Sequence, residues 1–321
     1  MMRAWPIAAV VGLVILVGGA ILLVRAPPQQ KFIEYRMDDP QDAPIAIAAG
    51  GDGIIWFTID HADAIGRLRD GRVERLATSS RNIEPLGLAV AADGSAWYTD
   101  IATRAIARVS HAGEIARFTL DTPIARLARL AIAPDGAVWF ADPTGYGMTK
   151  LNDGVFTRHR IESARGGPYG VAVTADGTVW ATLQSGNQLL RIAADGTGTT
   201  FDLPRAGAVP TDVAIGPDGA VWFLEFRANR IGRFKEPRFS EVEAGEQNAG
   251  LSGLAVAPNG DVWFGMLRRA SLGRLRNDRI EVFTLPRDNA RPFSLAVDRD
   301  GNVWYADISG YVGMLPAGHT R

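Results

Sequence analysis

Seven tryptophans divide the chain into units of nearly equal length. Their spacings are 41 or 42 residues, and they are Trp56, Trp97, Trp139, Trp180, Trp222, Trp263 and Trp304. Each follows a glycine by three residues, within segments such as PDGAVWF, which occurs identically at Pro134–Phe140 and Pro217–Phe223. A fixed period of about 40 residues indicates a repeat architecture. The repeat therefore restricts the fold more than any other feature of the chain.

Each unit contains the pattern of four short strands. An apolar run such as LGLAV (Leu86–Val90) precedes an Asp-Gly or Asn-Gly turn, and the tryptophan strand follows. A third strand such as IGRF (Ile231–Phe234) and an alternating fourth strand such as EIARFTL (Glu114–Leu120) complete the unit. Asp-Gly pairs favour hairpin turns because they tolerate positive φ. The sequence therefore predicts an all-β, seven-bladed β-propeller with four-stranded antiparallel blades.

The two ends of the repeat predict how the ring closes. The last unit stops after its third strand, YVGML (Tyr311–Leu315), whereas KFIEYRM (Lys31–Met37) alternates like a fourth strand before the first unit. We expect this N-terminal strand to pair with the last blade and remove its exposed edge. A six-bladed ring with one cryptic unit is the competing geometry. The repeated tryptophan is expected to pack between adjacent blades.

The N-terminal segment differs from the repeats in composition. From Ala4 to Val24 the chain carries no charge, and a helix needs about 20 apolar residues to cross a bilayer. The apolar core of a cleaved signal peptide, the alternative, is usually about 7–15 residues. We therefore expect a transmembrane anchor or uncleaved signal over residues 1–25, a linker over 26–30 and the propeller over 31–321. The propeller is then expected outside the cytoplasm, on the periplasmic or extracellular face.

Composition excludes several classes of function. The formal net charge is −1, whereas a protein that binds nucleic acid shows a strong excess of lysine and arginine. No nucleic-acid partner is therefore expected. The chain has no cysteine, which excludes disulfides, thiol catalysis and cysteine-ligated metals. We expect a monomer.

Charged residues gather at one end of the predicted ring. In a propeller, the loops that enter the first strands and leave the second strands meet around the central axis. Three residues after a tryptophan, four units carry a carboxylate: Asp100, Asp142, Glu225 and Asp307. Near the starts of first strands lie Arg126, Arg129 and Arg291. These groups could hold a small polar or peptide-like ligand or a hard cation at the central channel, or pair with one another.

Among the histidines, His61 is placed to reach this mouth, because it follows the first tryptophan strand directly. His111, His159 and His319 are expected at the surface. A general base needs a positioned partner. His61 is therefore a candidate catalytic residue on position alone.

The segment GPDGAVWFLEFRANRIGRF (Gly216–Phe234) resembles the repeat of the streptogramin B lyases, the virginiamycin B lyase family. The consensus of that repeat runs Pro-Asp-Gly-x-x-Trp-Phe-Thr-Glu and then Asn-x-Ile-Gly-Arg. The resemblance covers residues 31–315 and implies a seven-bladed propeller. It also implies Mg²⁺-dependent elimination at an ester, a carbon–oxygen lyase reaction that linearises cyclic depsipeptide antibiotics. The implied machinery is a Glu-Pro-His element, a second His and a Glu after a Trp-Phe strand.

Carried over residue by residue, the family pattern matches this chain only in part. EPLG keeps Glu84 and Pro85 but has Leu86 where the His would stand. The other units have in register Ile45, Ala128, Tyr169, Thr211, Ser252 and Phe293. The resemblance makes Glu84 and Glu225 candidate catalytic residues, and it makes candidate Mg²⁺ ligands of Asp100, Asp142, Glu225 and Asp307.

Two functions from different classes follow. The first is a membrane-tethered propeller that binds a polar or peptide-like ligand at its mouth, without the family reaction, because proton abstraction needs a base and a stabilised enolate. The alternative is a divergent enzyme, either a lyase whose base has moved to His61 or a carboxylate, or a metal-dependent enzyme similar to the gluconolactonase propellers. A third hypothesis is a protein-interaction platform on the outer faces of the ring.

Overall fold

Seven four-stranded antiparallel sheets make up the computed structural model, which describes residues 32–60, 62, 64–78, 85–121, 126–144, 147–162 and 164–319. The strands are numbered in chain order, and β1 spans Ile33–Arg36.

Blade I consists of β2 (Ala43–Ala49), β3 (Ile55–Asp60), β4 (Ala64–Arg69) and β5 (Arg72–Ala77). Blade II consists of β6 (Pro85–Val90), β7 (Ala96–Asp100), β8 (Ala105–Val109) and β9 (Ile115–Thr119). Blade III consists of β10 (Leu130–Ile132), β11 (Val138–Asp142), β12 (Gly147–Asn152) and β13 (Val155–Arg160). Blade IV consists of β14 (Pro168–Val173), β15 (Val179–Leu183), β16 (Gln188–Ile192) and β17 (Gly198–Asp202).

Blade V consists of β18 (Pro210–Ile215), β19 (Val221–Glu225), β20 (Arg230–Lys235) and β21 (Arg238–Glu243). Blade VI consists of β22 (Leu251–Val256), β23 (Val262–Met266), β24 (Ser271–Arg276) and β25 (Arg279–Thr284). Blade VII consists of β26 (Pro292–Val297), β27 (Val303–Asp307), β28 (Tyr311–Leu315) and β1. A short 3-10 helix spans Ala317–His319.

The ring closes as the sequence predicts. Strand β1 pairs antiparallel with β28, so that Ile33 lies opposite Met314 and Arg36 opposite Tyr311. The N-terminal strand therefore supplies the fourth strand of blade VII. Seven blades rather than six are formed, and the outer edge of the last blade is covered.

The hydrophobic core lies between the blades. The buried residues of the described chain form seven clusters, one at each junction between neighbouring blades. Trp56 and Trp263 are almost completely buried in two of them. The prediction that the repeated tryptophans pack between blades is therefore confirmed.

Glycine is needed at two recurring places. In the turn of PDGAVWF, Gly136 and Gly219 have φ of 85° and 77°, a region that side chains rarely adopt. In the third strand, a Cβ on Gly232 would lie 2.2 Å from the ring of Phe223. The turn lies at the end of the blade opposite the second-strand carboxylates, so the repeated motif builds the scaffold.

The predicted anchor (residues 1–25) and linker (26–30) lie outside the residues that the structure describes. In the described ranges, no helix is long and apolar enough to cross a membrane.

Candidate functional site

The mouth of the ring is formed where the first strands begin, and most of these starts are irregular. In blades IV and V the pairing register shifts between Pro168 and Val171 and between Pro210 and Val213. A bulge of this kind changes the direction of the side chains within it. Tyr169 packs at the edge of the core between blades III and IV and also lines a cavity, together with Thr211 and Asp212 of blade V.

Hydroxyl groups of neighbouring blades fix the backbone of this rim. The Thr99 side chain accepts a hydrogen bond from the Gly87 amide (2.8 Å) and donates one to the Ala128 carbonyl of blade III (3.0 Å). Thr182 links Gly170 to the Thr211 carbonyl of blade V in the same way. Each of these blades therefore fixes the start of the first strand in the following blade, so the backbone of the rim is held in place.

The cavity at this end has a volume of about 470 Å³. Aromatic rings from three blades, those of Tyr169, Phe226 and Phe293, contribute to its wall. Phe226 is 44% exposed, although it is a large apolar side chain. Polar side chains also reach the cavity, among them those of Gln184 and Thr211. An apolar wall with a few polar groups is the usual composition of a small-molecule site.

An ion pair between blades III and V lies in the same cavity. The Nε of Arg129 is 3.0 Å from Oδ1 of Asp212, and its Nη2 is 3.3 Å from Oδ2. The Nη1 of Arg129 donates to the Leu86 carbonyl of blade II at 2.9 Å. Its guanidinium carbon is 5.9 Å from the ring centre of Phe293 in blade VII. One side chain thus contacts three other blades around the central axis.

The pair is largely shielded from water, since the side chains of Arg129 and Asp212 are 13% and 14% exposed. Burial would lower the pKa of Arg129, but Asp212 and Tyr169 together outweigh burial and raise that pKa. Burial also raises the pKa of the Tyr169 hydroxyl. Arg129 lowers this pKa and Asp212 raises it, both to a lesser extent than burial. Arg129 therefore stays charged and Tyr169 stays protonated at neutral pH.

The sequence contains a signal for this pair in the residue that follows the His register of each unit. The position directly after Leu86 and its equivalents is occupied in successive blades by Ala46, Gly87, Arg129, Gly170, Asp212, Gly253 and Ser294. Small residues occupy five blades, and charged residues occupy two. Arg129 was predicted at the mouth, whereas Asp212 was not. The prediction considered only the carboxylates that follow the second strands.

Three of those carboxylates are held within their own blades. Asp100 pairs with Arg117 at 3.0 Å, and Asp142 with Arg158 at 3.4 Å, in each case on the outermost strand of the same blade. Each also binds a threonine of the adjoining turn. All four carboxylates at the ends of the second strands are buried, those of Asp100, Asp142, Glu225 and Asp307. These contacts match the alternative in which the charges pair with one another.

Asp307 is the third member and has a more elaborate set of partners. Its Oδ2 is 2.6 Å from Nη2 of Arg287, and its Oδ1 accepts from the Ser309 amide at 2.8 Å. Arg287 also binds both carboxyl oxygens of Glu34 on β1. One arginine therefore binds two carboxylates in blade VII.

Glu225 is the exception. Within the described residues, neither of its carboxyl oxygens has a hydrogen-bond donor, although the side chain is fully buried. The charged groups near it are Glu241, Arg205 and Arg230, and both arginines lie 3.2 Å from a Glu241 oxygen. Burial, and then the Glu241 charge, raise the pKa of Glu225 to about 7. Glu225 therefore holds a proton over much of the acidic range.

The family model of the virginiamycin B lyases matches residues 19–176 and 130–319, which together span most of the chain. The chain belongs to the virginiamycin B lyase family. A curated virginiamycin B lyase of Nocardia farcinica is 36% identical over 194 residues, 60% of this chain and 67% of that protein. A curated virginiamycin B lyase of Bordetella bronchiseptica is 46% identical over 48 residues, 15% of this chain and 16% of that protein.

Solved structures agree with the family assignment. A streptogramin B lyase structure superposes with a TM-score of 0.84 at 27% identity, over 88% of this chain and 96% of that one. A catalytically inactive virginiamycin B lyase from Staphylococcus aureus with quinupristin has a TM-score of 0.84 at 24% identity, over 90% and 99% of the two chains. The second likeness shows the fold alone.

The described residues do not supply a Mg²⁺ site of the kind that the lyase family implies. No group of three or more His, Asp or Glu side chains converges among them. Asp100, Asp142 and Asp307 each face an arginine, and two arginines approach Glu241 beside Glu225. A divalent cation would compete with these guanidinium groups for the same oxygens.

The remaining predicted residues lie apart from the cavity or outside the described chain. Arg126 is exposed, and Arg291 contacts Asp307 through its backbone amide at 2.9 Å. The candidates His61 and Glu84 lie outside the described residues. Among the described histidines, His159 packs against Trp139 on an outer strand and His111 lies near Asp52 in a turn. Neither of the two can reach the mouth.

Proposed function

We propose that this propeller binds a peptide-like ligand in the mouth cavity and does not carry out the elimination of its family. The observation that carries the proposal is the Arg129–Asp212 pair, which lies in a cavity with aromatic walls. An ion pair that only stabilised the ring would not need a cavity above it. Cyclic peptides present amides and apolar side chains, which match these two kinds of surface.

The arrangement of the rim supports binding rather than turnover. Elimination requires a base that removes a proton next to a carbonyl. Two residues that line the cavity at the His register, Tyr169 and Phe293, are aromatic and have no basic group. Both carboxyl oxygens of Asp212 already accept hydrogen bonds from Arg129. The described part of the cavity can therefore position a ligand without an evident base.

Titration with quinupristin, which the S. aureus relative was crystallised with, tests the proposal. Calorimetry should detect binding by the wild-type protein and a loss of at least tenfold in affinity for Arg129→Leu. Arg126→Leu, at an exposed arginine outside the cavity, is the matched control and should bind normally. Arg129→Lys separates the loss of the planar fork from the loss of charge if the leucine variant folds poorly. Equal effects at positions 126 and 129, or no binding, would refute the proposal.

A divergent lyase is the second candidate, favoured by the family membership and by the raised pKa of Glu225. It predicts that quinupristin with Mg²⁺ yields a ring-opened product of unchanged mass, as elimination requires, and that Glu225→Gln abolishes it. We expect the ring to stay intact at high protein concentration. A ring-opened product from the wild-type protein would favour the lyase instead.

We also propose that residues 1–25 tether the propeller to a membrane, with the propeller outside the cytoplasm. The length and apolar character of Ala4–Val24 support this placement. The full chain should sediment with membranes after an alkaline wash, and deletion of residues 1–25 should release it. Added protease should digest the propeller in cells whose outer layers are opened. A full chain that washes off, or a propeller protected from protease, would contradict the tether or its orientation.

A further inference from the structure

The Arg129–Asp212 pair gives this part of the cavity no net charge. A ligand carboxylate that approaches Arg129 also approaches Asp212, because the two groups are in contact at 3.0 Å. Attraction by one charge is then offset by repulsion from the other, and both act strongly where water is displaced. A neutral group with one acceptor and one donor meets no such opposition.

Both members of the pair retain hydrogen-bonding capacity. A guanidinium has five N–H groups, and those of Arg129 have three acceptors in the described chain, two on Asp212 and one at Leu86. Each oxygen of Asp212 accepts one of these bonds, and a carboxylate can accept about four in all. A peptide bond offers a carbonyl to the arginine and an N–H to the aspartate at once.

The other charged side chain that lines the cavity does not reverse this balance. Arg268 is exposed and its guanidinium donates to the Asn248 side chain. Its field is screened by solvent and salt, whereas the buried pair is screened much less. The Tyr169 ring beside the pair is uncharged at neutral pH, because burial raises the pKa of its hydroxyl.

We propose that Asp212 determines specificity at this site by making it select a neutral amide over a carboxylate. This inference rests on the proposed function, since it concerns the same cavity. Asp212 contacts the ligand donor and repels anions, while Arg129 contacts the ligand carbonyl. The preferred ligand class is therefore a peptide with blocked or cyclised ends, whose backbone amide meets the pair and whose aromatic side chain packs near Phe293.

Two probes that differ only in this group test the inference. N-acetyl-phenylalaninamide is neutral, and N-acetyl-phenylalanine carries a carboxylate at pH 7. Titrations followed by NMR should show that the wild-type protein prefers the amide by at least tenfold. Asp212→Asn keeps the shape and one acceptor for Arg129 but removes the negative charge, so the preference should shift at least tenfold towards the carboxylate. Asp195→Asn, on the opposite end of the ring, should leave the ratio unchanged.

A wild-type protein that prefers the carboxylate, or a ratio that Asp212→Asn does not move, would overturn the inference. Binding of quinupristin at the mouth would stand in either case, so the two proposals fail separately. If neither probe bound at millimolar concentration, amide selection would be refuted, and the quinupristin titration would still decide whether the mouth binds a ligand.

Discussion

Charged side chains lie at two distances from the axis of this propeller, and the two sets have different partners. At the ends of the second strands, Asp100 and Asp142 pair with an arginine of their own blade. At the starts of the innermost strands, Arg129 and Asp212 pair across the ring, between blades III and V. The strand that carries a charge therefore decides whether it stabilises one blade or forms part of the mouth.

The largest test of this comparison is Asp307→Ala. It removes a buried carboxylate that neutralises Arg287 and accepts two backbone amides. Breaking a buried ion pair costs about 3–5 kcal/mol, so the free energy of unfolding should fall by that amount. Urea denaturation measures the loss. If Asp307 only stabilises blade VII, the folded variant should bind quinupristin with the wild-type affinity.

Glu243→Ala is the matched control for that variant. Glu243 pairs with Arg230 at 2.8 Å, but its side chain is 76% exposed. An exposed pair contributes less than about 1 kcal/mol, so the control should unfold almost like the wild type. A similar loss for both variants would contradict the distinction between buried and exposed carboxylates.

Glu225→Gln sharpens the comparison, because Glu225 is one of the carboxylates at the ends of the second strands and no cation bonds directly to it among the described residues. Its pKa is about 7 in the folded protein, above the ordinary value of 4.5. The folded state therefore binds the proton more tightly, and its contribution to stability is lost as pH rises from the ordinary value through 7. The wild-type protein should lose up to about 3 kcal/mol over this range relative to Glu225→Gln. Denaturation at pH 5 and pH 8 measures the difference.

The contrary result for Glu225 would be a wild-type protein whose stability relative to the glutamine variant rises with pH. It would mean that Arg205 or Arg230 pairs with Glu225 in solution, as Arg287 pairs with Asp307 in blade VII. The carboxylate of blade V would then pair with an arginine, as those of blades II, III and VII do.

Phe226→Ala gives the smallest expected effect and tests the mouth cavity in which the Arg129–Asp212 pair lies. The side chain is 44% exposed and lines the cavity, so its removal should change stability little. Aromatic contacts contribute about 0.5–1.5 kcal/mol, and quinupristin should bind up to about tenfold more weakly. Val282→Ala, on an outer strand and 41% exposed, should bind like the wild type. Equal binding by both variants would place the ligand elsewhere.

The fold could be predicted almost completely from the sequence, because each blade repeats one local pattern. The period of the tryptophans gave the number of blades, and the alternation of residues 31–37 gave the closing strand, which pairs with β28. Both features depend on neighbours in the chain or on the requirement that a ring has no free edge. The N-terminal anchor stays a prediction.

The site could be predicted only in part, because its partners are distant in the chain. Arg129 and Asp212 are 83 residues apart and meet across the axis. The carboxylates at the ends of the second strands stand at the predicted positions, but Arg117 and Arg158, which pair with Asp100 and Asp142, lie on fourth strands whose register the sequence does not reveal. The state of Glu225 depends on Glu241 in the same way. Spacing placed these charged residues at one end of the ring, and only the structure showed which of them pair.

A crystal structure of the full propeller soaked with quinupristin tests the central claim most directly. We expect the intact cyclic ligand in the mouth cavity, with a backbone amide against Arg129 and Asp212 and an apolar group near Phe293. Ligand density on another surface, or a ring-opened ligand in the mouth, would contradict it.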